Sequence, residues 1–134
     1  MSALLSDVLQ TAIYERLSTD AVLSSIVGSH VYDAMPAGPV PDLYVLIGDE
    51  NVKDASDVSG AGAVHDLVIS VMSTADSFLI LKEAAAAIWA ALETPALVPA
   101  RGRLVGLWFR ASSAKRSSSG QRKIDLKFRA RMEA

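Results

Sequence analysis

The chain has 134 residues, a formal net charge of −2, 51% hydrophobic residues and no cysteine. This length predicts one domain with a core of its own, and the lack of cysteine excludes a disulfide scaffold, a thiolate zinc site and a cysteine nucleophile. No uncharged apolar run reaches the ~18 residues of a membrane span, and Met1 to Gln10 lacks the pattern of a signal peptide, so we expect a protein that is cytosolic or assembled in the cytosol.

The nearly neutral net charge hides a division between two segments. Residues 1–100 contain three Lys or Arg against thirteen Asp or Glu, whereas residues 101–134 contain ten against two. The two segments therefore carry net charges of −10 and +8. Such asymmetry predicts an electrostatic partner, which could be nucleic acid, another protein or a second copy of the chain.

An apolar stripe at helical spacing predicts an amphipathic helix over residues 4–18. A second, short helix follows, capped by Ser18 or Thr19 and ended by Gly28. The stripe of the first helix consists of Leu5, Leu9, Ala12, Ile13 and Leu17.

A short strand-like piece, His30 to Tyr32, precedes a loop from Ala34 to Asp42 that contains three prolines and a glycine. Leu43 to Gly48 is apolar on both faces, which favours a buried strand, and the polar residues 49–58 extend it toward an edge. Ser59 to Gly62 then forms a mobile hairpin tip, and the return strand runs from Val64 to Ser73.

The next stretch, residues 75–93, predicts the best-defined helix of the chain. We expect Thr74 or Asp76 to cap it and Pro95 to stop it. Alanines on its other side are either good helix formers or a smooth surface for close packing. The predicted apolar stripe consists of Phe78, Leu81, Ala85, Ile88, Trp89 and Leu92, and the alanines are Ala84, Ala86, Ala87, Ala90 and Ala91.

The chain ends in a second predicted hairpin. Arg103 to Ala111 forms a strand, and Ser112 to Gly120 forms a serine-rich turn that carries Lys115 and Arg116. The last strand alternates strictly, which indicates one buried face. Its apolar face holds Ile124, Leu126, Phe128, Ala130 and Met132, and its charged face holds Lys123, Asp125, Lys127, Arg129 and Arg131.

The element order α-α-β-β-α-β-β predicts an α+β fold over a single domain, residues 1–134. We expect a mostly antiparallel four-stranded sheet with the helices packed on one face.

No catalytic or metal-binding constellation emerges from the sequence. The histidines stand alone, and His65 cannot easily pair with Asp66 because neighbouring strand residues point to opposite faces. The glycines of residues 59–62 lack the Lys and Ser/Thr of a phosphate loop. The acidic residues between 49 and 57 lack the pattern of a calcium loop, so a solvated strand is favoured. We therefore expect no enzyme, no cofactor and no metal.

The charged face of the last strand has three interpretations. Its cations could track nucleic acid, although no aromatic residue interleaves with them for base stacking. They could protect a solvated edge strand from unwanted pairing. They could also meet the acidic part of another copy in a head-to-tail contact, which closes into a ring when the rotation permits.

Several ordered motifs resemble the tail-completion, or tail-terminator, proteins of long-tailed phages and gene transfer agents. They extend over nearly the whole chain and are structural rather than catalytic. In chain order they are Leu9-Gln-Thr-Ala-Ile-Tyr-Glu-Arg-Leu17, Asp20-Ala, Gly28, His30-Val-Tyr32, the proline-rich turn from Pro36 to Pro41, Tyr44-Val-Leu-Ile-Gly-Asp-Glu50, His65-Asp-Leu-Val-Ile-Ser-Val71 and Arg129-Ala-Arg-Met-Glu133.

The resemblance implies a virion protein, assembled in the host cytoplasm, that forms a ring, usually a hexamer, on the head-proximal end of the tail tube. Such a ring stops tube polymerisation and joins the tail to the head. The implied partners are the chain itself, the tail tube protein and the stopper or head-completion protein, with non-specific DNA passage through the lumen and no membrane. The alternatives are a head-side neck protein (stopper or adaptor) and a small nucleic-acid-binding module.

Charge and loop patterns give the expected contact residues. The subunit interface or the lumen would take the basic face of the last strand, Lys123, Lys127, Arg129 and Arg131. The tube or the stopper would contact the loops at Ser59, Gly60, Gly62, Lys115, Arg116 and Ser118.

Overall fold

The computed structural model describes residues 5–35, 37–56, 60–75, 77–93, 97–118 and 120–134. Three helices and five strands follow one another in these ranges. They are α1 (Ser6–Ser18), α2 (Ala21–Val27), β1 (Val31–Tyr32), β2 (Leu43–Asp54), β3 (Gly62–Ser73), α3 (Leu79–Glu93), β4 (Arg103–Arg116) and β5 (Arg122–Glu133). The α+β class is confirmed. None of the described helices is long and apolar enough to cross a membrane.

The sheet has five strands in the order β1-β2-β3-β5-β4, so the prediction of four was wrong. The additional strand is the short piece that ends at Tyr32. It runs parallel to β2 and pairs Val31 with Val45 and Tyr32 with Leu46, whereas all other pairings are antiparallel. The sheet is therefore mixed. Two residues are too few to show an alternating pattern, so the sequence could not reveal that this piece joins the sheet.

The hydrophobic core lies between one face of the sheet and the three helices. The apolar face of β5 is buried as its alternation predicts, and so is the stripe of α1. In β3, Leu67, Ile69 and Val71 join the same core. Burial of this apolar area is the main stabilising term of the fold, at roughly 25 cal/mol per Å².

The end of α2 agrees with the prediction, but its beginning does not. Gly28 ends the helix in a positive-φ conformation (φ 63°). The N-cap is Asp20, not Ser18 or Thr19, because the Asp20 carboxylate accepts a hydrogen bond from the Leu23 amide at 2.9 Å. Ser18 and Thr19 instead donate their hydroxyls to carbonyls of α1, Tyr14 and Glu15 among them.

Helix α3 begins four residues later than predicted. Contacts before it hold the chain in another conformation: Ser73 Oγ accepts from the Ala75 amide at 2.9 Å, and the buried Arg122 donates to the Ala75 carbonyl at 2.6 Å. Arg122 also lies over the Phe78 ring, 5.4 Å from its centroid. Thr74, one of the two expected caps, lies outside the helix. Asp76, the other expected cap, and Pro95, the expected stop, lie outside the described residues.

The buried face of α3 is rotated relative to the predicted stripe. Two residues of the predicted stripe are not fully buried: Trp89 is 48% exposed, and Ala85 is only half-buried. Part of the alanine side packs instead, so a packing role is confirmed for three alanines, while Ala86 and Ala90 are exposed. The residues that α3 buries are Leu81, Ala84, Ala87, Ile88, Ala91 and Leu92.

Two strands are longer than their sequence patterns indicate. β4 continues through the serine-rich stretch to Arg116, because its pairing with β5 extends as far as Arg116↔Arg122. The turn is confined to residues between the strands, where the Ser117 amide donates to the Gln121 carbonyl at 2.8 Å. β3 begins at Gly62, two residues before the predicted start.

Candidate assembly interface

The face of the sheet that the helices leave uncovered is here called the open face. Along β5 it presents Lys123, Asp125, Lys127, Arg129 and Arg131, as the alternation predicts. Cross-strand pairing places Asp66 of β3 directly opposite Arg129, and Ser70 opposite Asp125. These side chains border a shallow groove whose far walls come from β2 and β4, at Asp49, Asn51 and Arg110.

Acidic residues of the same sheet pair with three of the four predicted interface cations. Arg129 donates to both Asp66 oxygens, Nε to Oδ1 at 2.8 Å and Nη2 to Oδ2 at 3.3 Å. Lys123 Nζ lies 3.5 Å from Asp125 Oδ1, and Arg131 Nε lies 3.6 Å from Glu133 Oε2. The open face is therefore less basic than the sequence of its last strand indicates.

Lys127 differs from these three cations. It lies at the centre of the open face, is exposed, and has no acidic side chain within ion-pair distance among the described residues. Its neighbour across β3 is Val68, which offers no charge. Lys127 is therefore the cation of this set that is most available to an outside partner.

The electrostatic state of Asp66 reflects its cationic surroundings. The hydrogen bonds from Arg129 hold the pKa of Asp66 below its ordinary value of 3.8, with smaller contributions from the charges of Lys53 and Arg110. The same contact raises the pKa of Arg129. Asp66 thus remains a carboxylate at neutral pH and neutralises Arg129 in place.

The predicted contact loops are only partly loops. Gly62 is a buried residue at the start of β3 and pairs with Glu133, so it is not part of a mobile tip. Lys115 and Arg116 lie on β4, paired with Lys123 and Arg122. Gly60 and Ser118 are exposed residues beside the two strand connections, and Ser59 lies outside the described residues.

The two strand connections lie at opposite ends of the sheet. The connection from β2 to β3 follows Asp54, which pairs with Ala63, and Ala63 pairs in turn with Met132 near the end of β5. The connection from β4 to β5 lies at the pair Arg116↔Arg122, at the beginning of β5. Contacts made by these two regions are therefore made with partners at opposite ends of the molecule.

His65 has a structural environment. Its side chain is fully buried, and its Nδ1 lies 3.0 Å from Glu50 Oε2. Asp66 points to the open face instead, so the expectation that these two neighbours do not pair is confirmed. In the described part of the chain, no group of three His, Cys, Asp or Glu residues could hold a metal ion.

An exposed aromatic border runs along β4, the last strand of the sheet, and it was not predicted from the sequence. The Trp89 and Phe109 rings lie 5.4 Å apart, and Phe109 continues inward to Phe128 at 5.8 Å. Trp108, opposite Arg129 on the open face, is 49% exposed, and Val105, at the register shift between Leu104 and Gly106, is exposed as well. Large apolar side chains beside an unpaired strand edge mark a surface for protein contacts.

The molecule thus combines one helix-covered face, a charged open face and an apolar strand edge, which are surfaces for contacts with other macromolecules. Comparison with known proteins agrees. The sequence model of the family "Tail completion protein gp17" matches residues 11–133. The chain therefore belongs to this family of structural, non-enzymatic proteins of phage-like particles.

The fold is also similar to a chain in a solved structure described as "Virion of native gene transfer agent (GTA) particle". The two chains are 52% identical and superpose with a TM-score of 0.93, and the match covers 99% of this chain and 100% of that one. A search of curated proteins gave no match.

Proposed function

We propose that residues 1–134 form one tail-terminator domain, which assembles as a hexameric ring on the head-proximal end of a tail tube. The ring stops addition of tube subunits and presents a surface to the stopper protein of the head. The observation that carries this proposal is the family match over residues 11–133, joined by 52% identity to a chain of a gene transfer agent virion.

The arrangement of the two strand connections supports a protein that joins two partners. The region beside Gly60 and the region of Lys115, Arg116 and Ser118 lie at opposite ends of the strands. If the strands run roughly along the ring axis, one end contacts the tube and the other contacts the stopper. Exposed residues at strand ends can adapt to such partners without disturbing the core.

We assign the open face to the lumen of the ring. The helices add a second layer to the sheet, and this layer fits on the outer side of a ring, where the circumference is larger. Lys127 would then face the path of the exiting DNA, where non-specific attraction of phosphates is sufficient. Since Lys123, Arg129 and Arg131 are paired with acids of the same chain, the surface favours weak passage over tight binding.

Tube length is the property that tests this function. Purified protein is added to polymerising tail tube protein, and the tubes are measured by electron microscopy. We expect capped tubes of reduced and more uniform length, and in particles made without the protein we expect overlong or uneven tails. Normal tails in its absence would refute the terminator role, and binding to portal complexes instead of tubes would indicate a head-side neck protein.

The Lys127→Glu variant tests the lumen assignment separately. Lys127 is exposed and unpaired among the described residues, so its reversal should leave folding and capping unchanged. DNA transfer by the assembled particles should fall, because the lumen gains negative charge. The matched control is Lys82→Glu on the exposed side of α3, for which we expect normal DNA transfer. A capping defect in Lys127→Glu alone would place the open face in a protein contact.

A further inference from the structure

The sheet has two free edges on opposite sides. β4 is the last strand on one side over its whole length. On the other side, β1 pairs with β2 at Val45 and Leu46. Within the described residues, the stretch 48–54 of β2 therefore has no strand paired with it on that side of the sheet. Each free edge offers backbone donors and acceptors to another strand.

The two edges carry opposite charge. Residues 48–54, here called the acidic edge, contain Asp49, Glu50 and Asp54 against a single cation, Lys53. β4, here called the basic edge, contains no acidic residue. Its four cations are Arg103, Arg110, Lys115 and Arg116. Complementary charge on two different surfaces of one chain is typical of a heterologous, head-to-tail contact.

The strand directions fit such a contact. The four long strands β2, β3, β5 and β4 alternate in direction across the sheet, because each neighbouring pair is antiparallel. An even number of alternating strands makes β4 of one copy antiparallel to β2 of the next copy when copies repeat around an axis along the strands. The repeat therefore continues the antiparallel pattern without a break.

The charges also lie at matching heights along the strands. Pairing across the sheet puts Glu50 in the row of Phe109. The residues next to these two, Asp49 and Arg110, therefore lie at similar heights, and both line the groove of the open face. At the other end of the acidic edge, Asp54 lies in the row of Leu104, where the adjacent Arg103 already pairs with Glu133 of its own chain. A neighbouring copy at the same height would thus place Asp49 near Arg110, on the open side of the sheet.

Curvature and apolar area support the same contact. Register shifts occur in the β2–β3 and β4–β5 pairings, between Ile47 and Glu50 and along β4, whereas the central β3–β5 pairing is regular. Bulges add twist and curvature, which a closed barrel needs. An adjoining strand would also cover Trp108 and Phe109, which the isolated chain leaves exposed.

We propose that the basic edge of each copy pairs with the acidic edge of the next copy, so that the sheets of the ring join into one continuous barrel. This interface rests on the proposed ring and names the surfaces that build it. The occupant of each edge is a second copy of this chain, held by strand pairing, by complementary charge and by cover of the aromatic border.

Charge reversal on either edge tests the pairing. In Arg110→Glu the altered edge meets Asp49 of its neighbour, and in Asp49→Lys the altered edge meets Arg110. We expect each variant alone to need about tenfold more protein for half-maximal tube capping, with a larger defect at low salt. An equal mixture of the two variants should restore capping, since alternating copies recover opposite charges at every junction. Lys82→Glu is the control and should cap normally.

Cross-linking gives an independent test, because the chain contains no cysteine of its own. The double variant Asp49→Cys/Arg110→Cys, bound to tube ends and treated with a short bis-maleimide, should give a ladder of covalent oligomers that stops at the ring number. Each single-cysteine variant should remain monomeric. Capping without the ladder and without an effect of charge reversal would overturn the edge pairing and leave the terminator role intact. Failure of the unmodified protein to cap would overturn the terminator role itself.

Discussion

Leu81 and Leu79 on α3 provide a matched test of where the core lies. Both are leucines in the same helix, two residues apart, and both would be replaced by alanine. Leu81 is 0% exposed and belongs to the core cluster, whereas Leu79 is 65% exposed. Because host helix and substitution are the same, the difference in unfolding free energy reports burial rather than helix propensity.

The expected magnitude follows from complete burial. Leu81→Ala removes buried hydrocarbon and leaves a cavity under α3, which costs about 3 kcal/mol of unfolding free energy. Leu79→Ala removes side-chain atoms that already contact water, so its effect should stay within about 0.5 kcal/mol. A domain stabilised by roughly 5–15 kcal/mol tolerates the larger loss and remains folded.

Urea unfolding of the isolated protein, followed by circular dichroism, measures both values. We expect a lower midpoint for Leu81→Ala with an unchanged slope, which would mean that stability and not the extent of unfolding has changed. Equal losses for the two variants would refute the assignment of the buried face of α3. An unaffected Leu81→Ala would place the core elsewhere.

Three further predictions concern local features. Asp20→Ala removes the N-cap of α2 and should cost about 1 kcal/mol in urea unfolding. Gly102→Ala should cost about 1–3 kcal/mol in the same assay, since Gly102 has φ +68° and an added Cβ would lie 2.8 Å from the Glu133 carbonyl oxygen. Arg129 lowers the pKa of Asp66. The stability that this contact supplies should therefore be present above the unfolded-state pKa and be lost as the pH falls through the lower folded-state pKa. NMR titration of the Arg129→Gln variant should show the pKa of Asp66 raised toward its ordinary value.

The elements that the sequence predicts well are those with one buried and one solvated face. β5 alternates over its length because its two faces meet different surroundings, and residues such as Leu126 and Lys127 report this directly. The stretch Ser112–Arg116 carries no such signal. It is an exposed edge that becomes a strand because it pairs with β5, a contact that local propensity cannot reveal.

Other differences arise from contacts between distant segments. Arg122 donates a hydrogen bond to the carbonyl of Ala75, 47 positions away, and α3 begins only after this contact. Asp66 and Arg129 are 63 positions apart and meet only when β3 and β5 pair. The sequence predicts which cations β5 presents on its charged face. It does not predict how many of them are neutralised, because that depends in part on acids that other parts of the chain bring next to them.

Residues 1–100 are acidic and residues 101–134 are basic, but folding changes where these charges remain unpaired. Part of this charge is neutralised internally, since Arg129 pairs with Asp66 and Arg101 pairs with Asp7. Of the charge that remains, Asp49 lies on β2 toward one side of the sheet and Arg110 on β4 at the other. In the proposed ring, a contact between copies at the edges would leave the open face, with Lys127 at its centre, to line the enclosed passage.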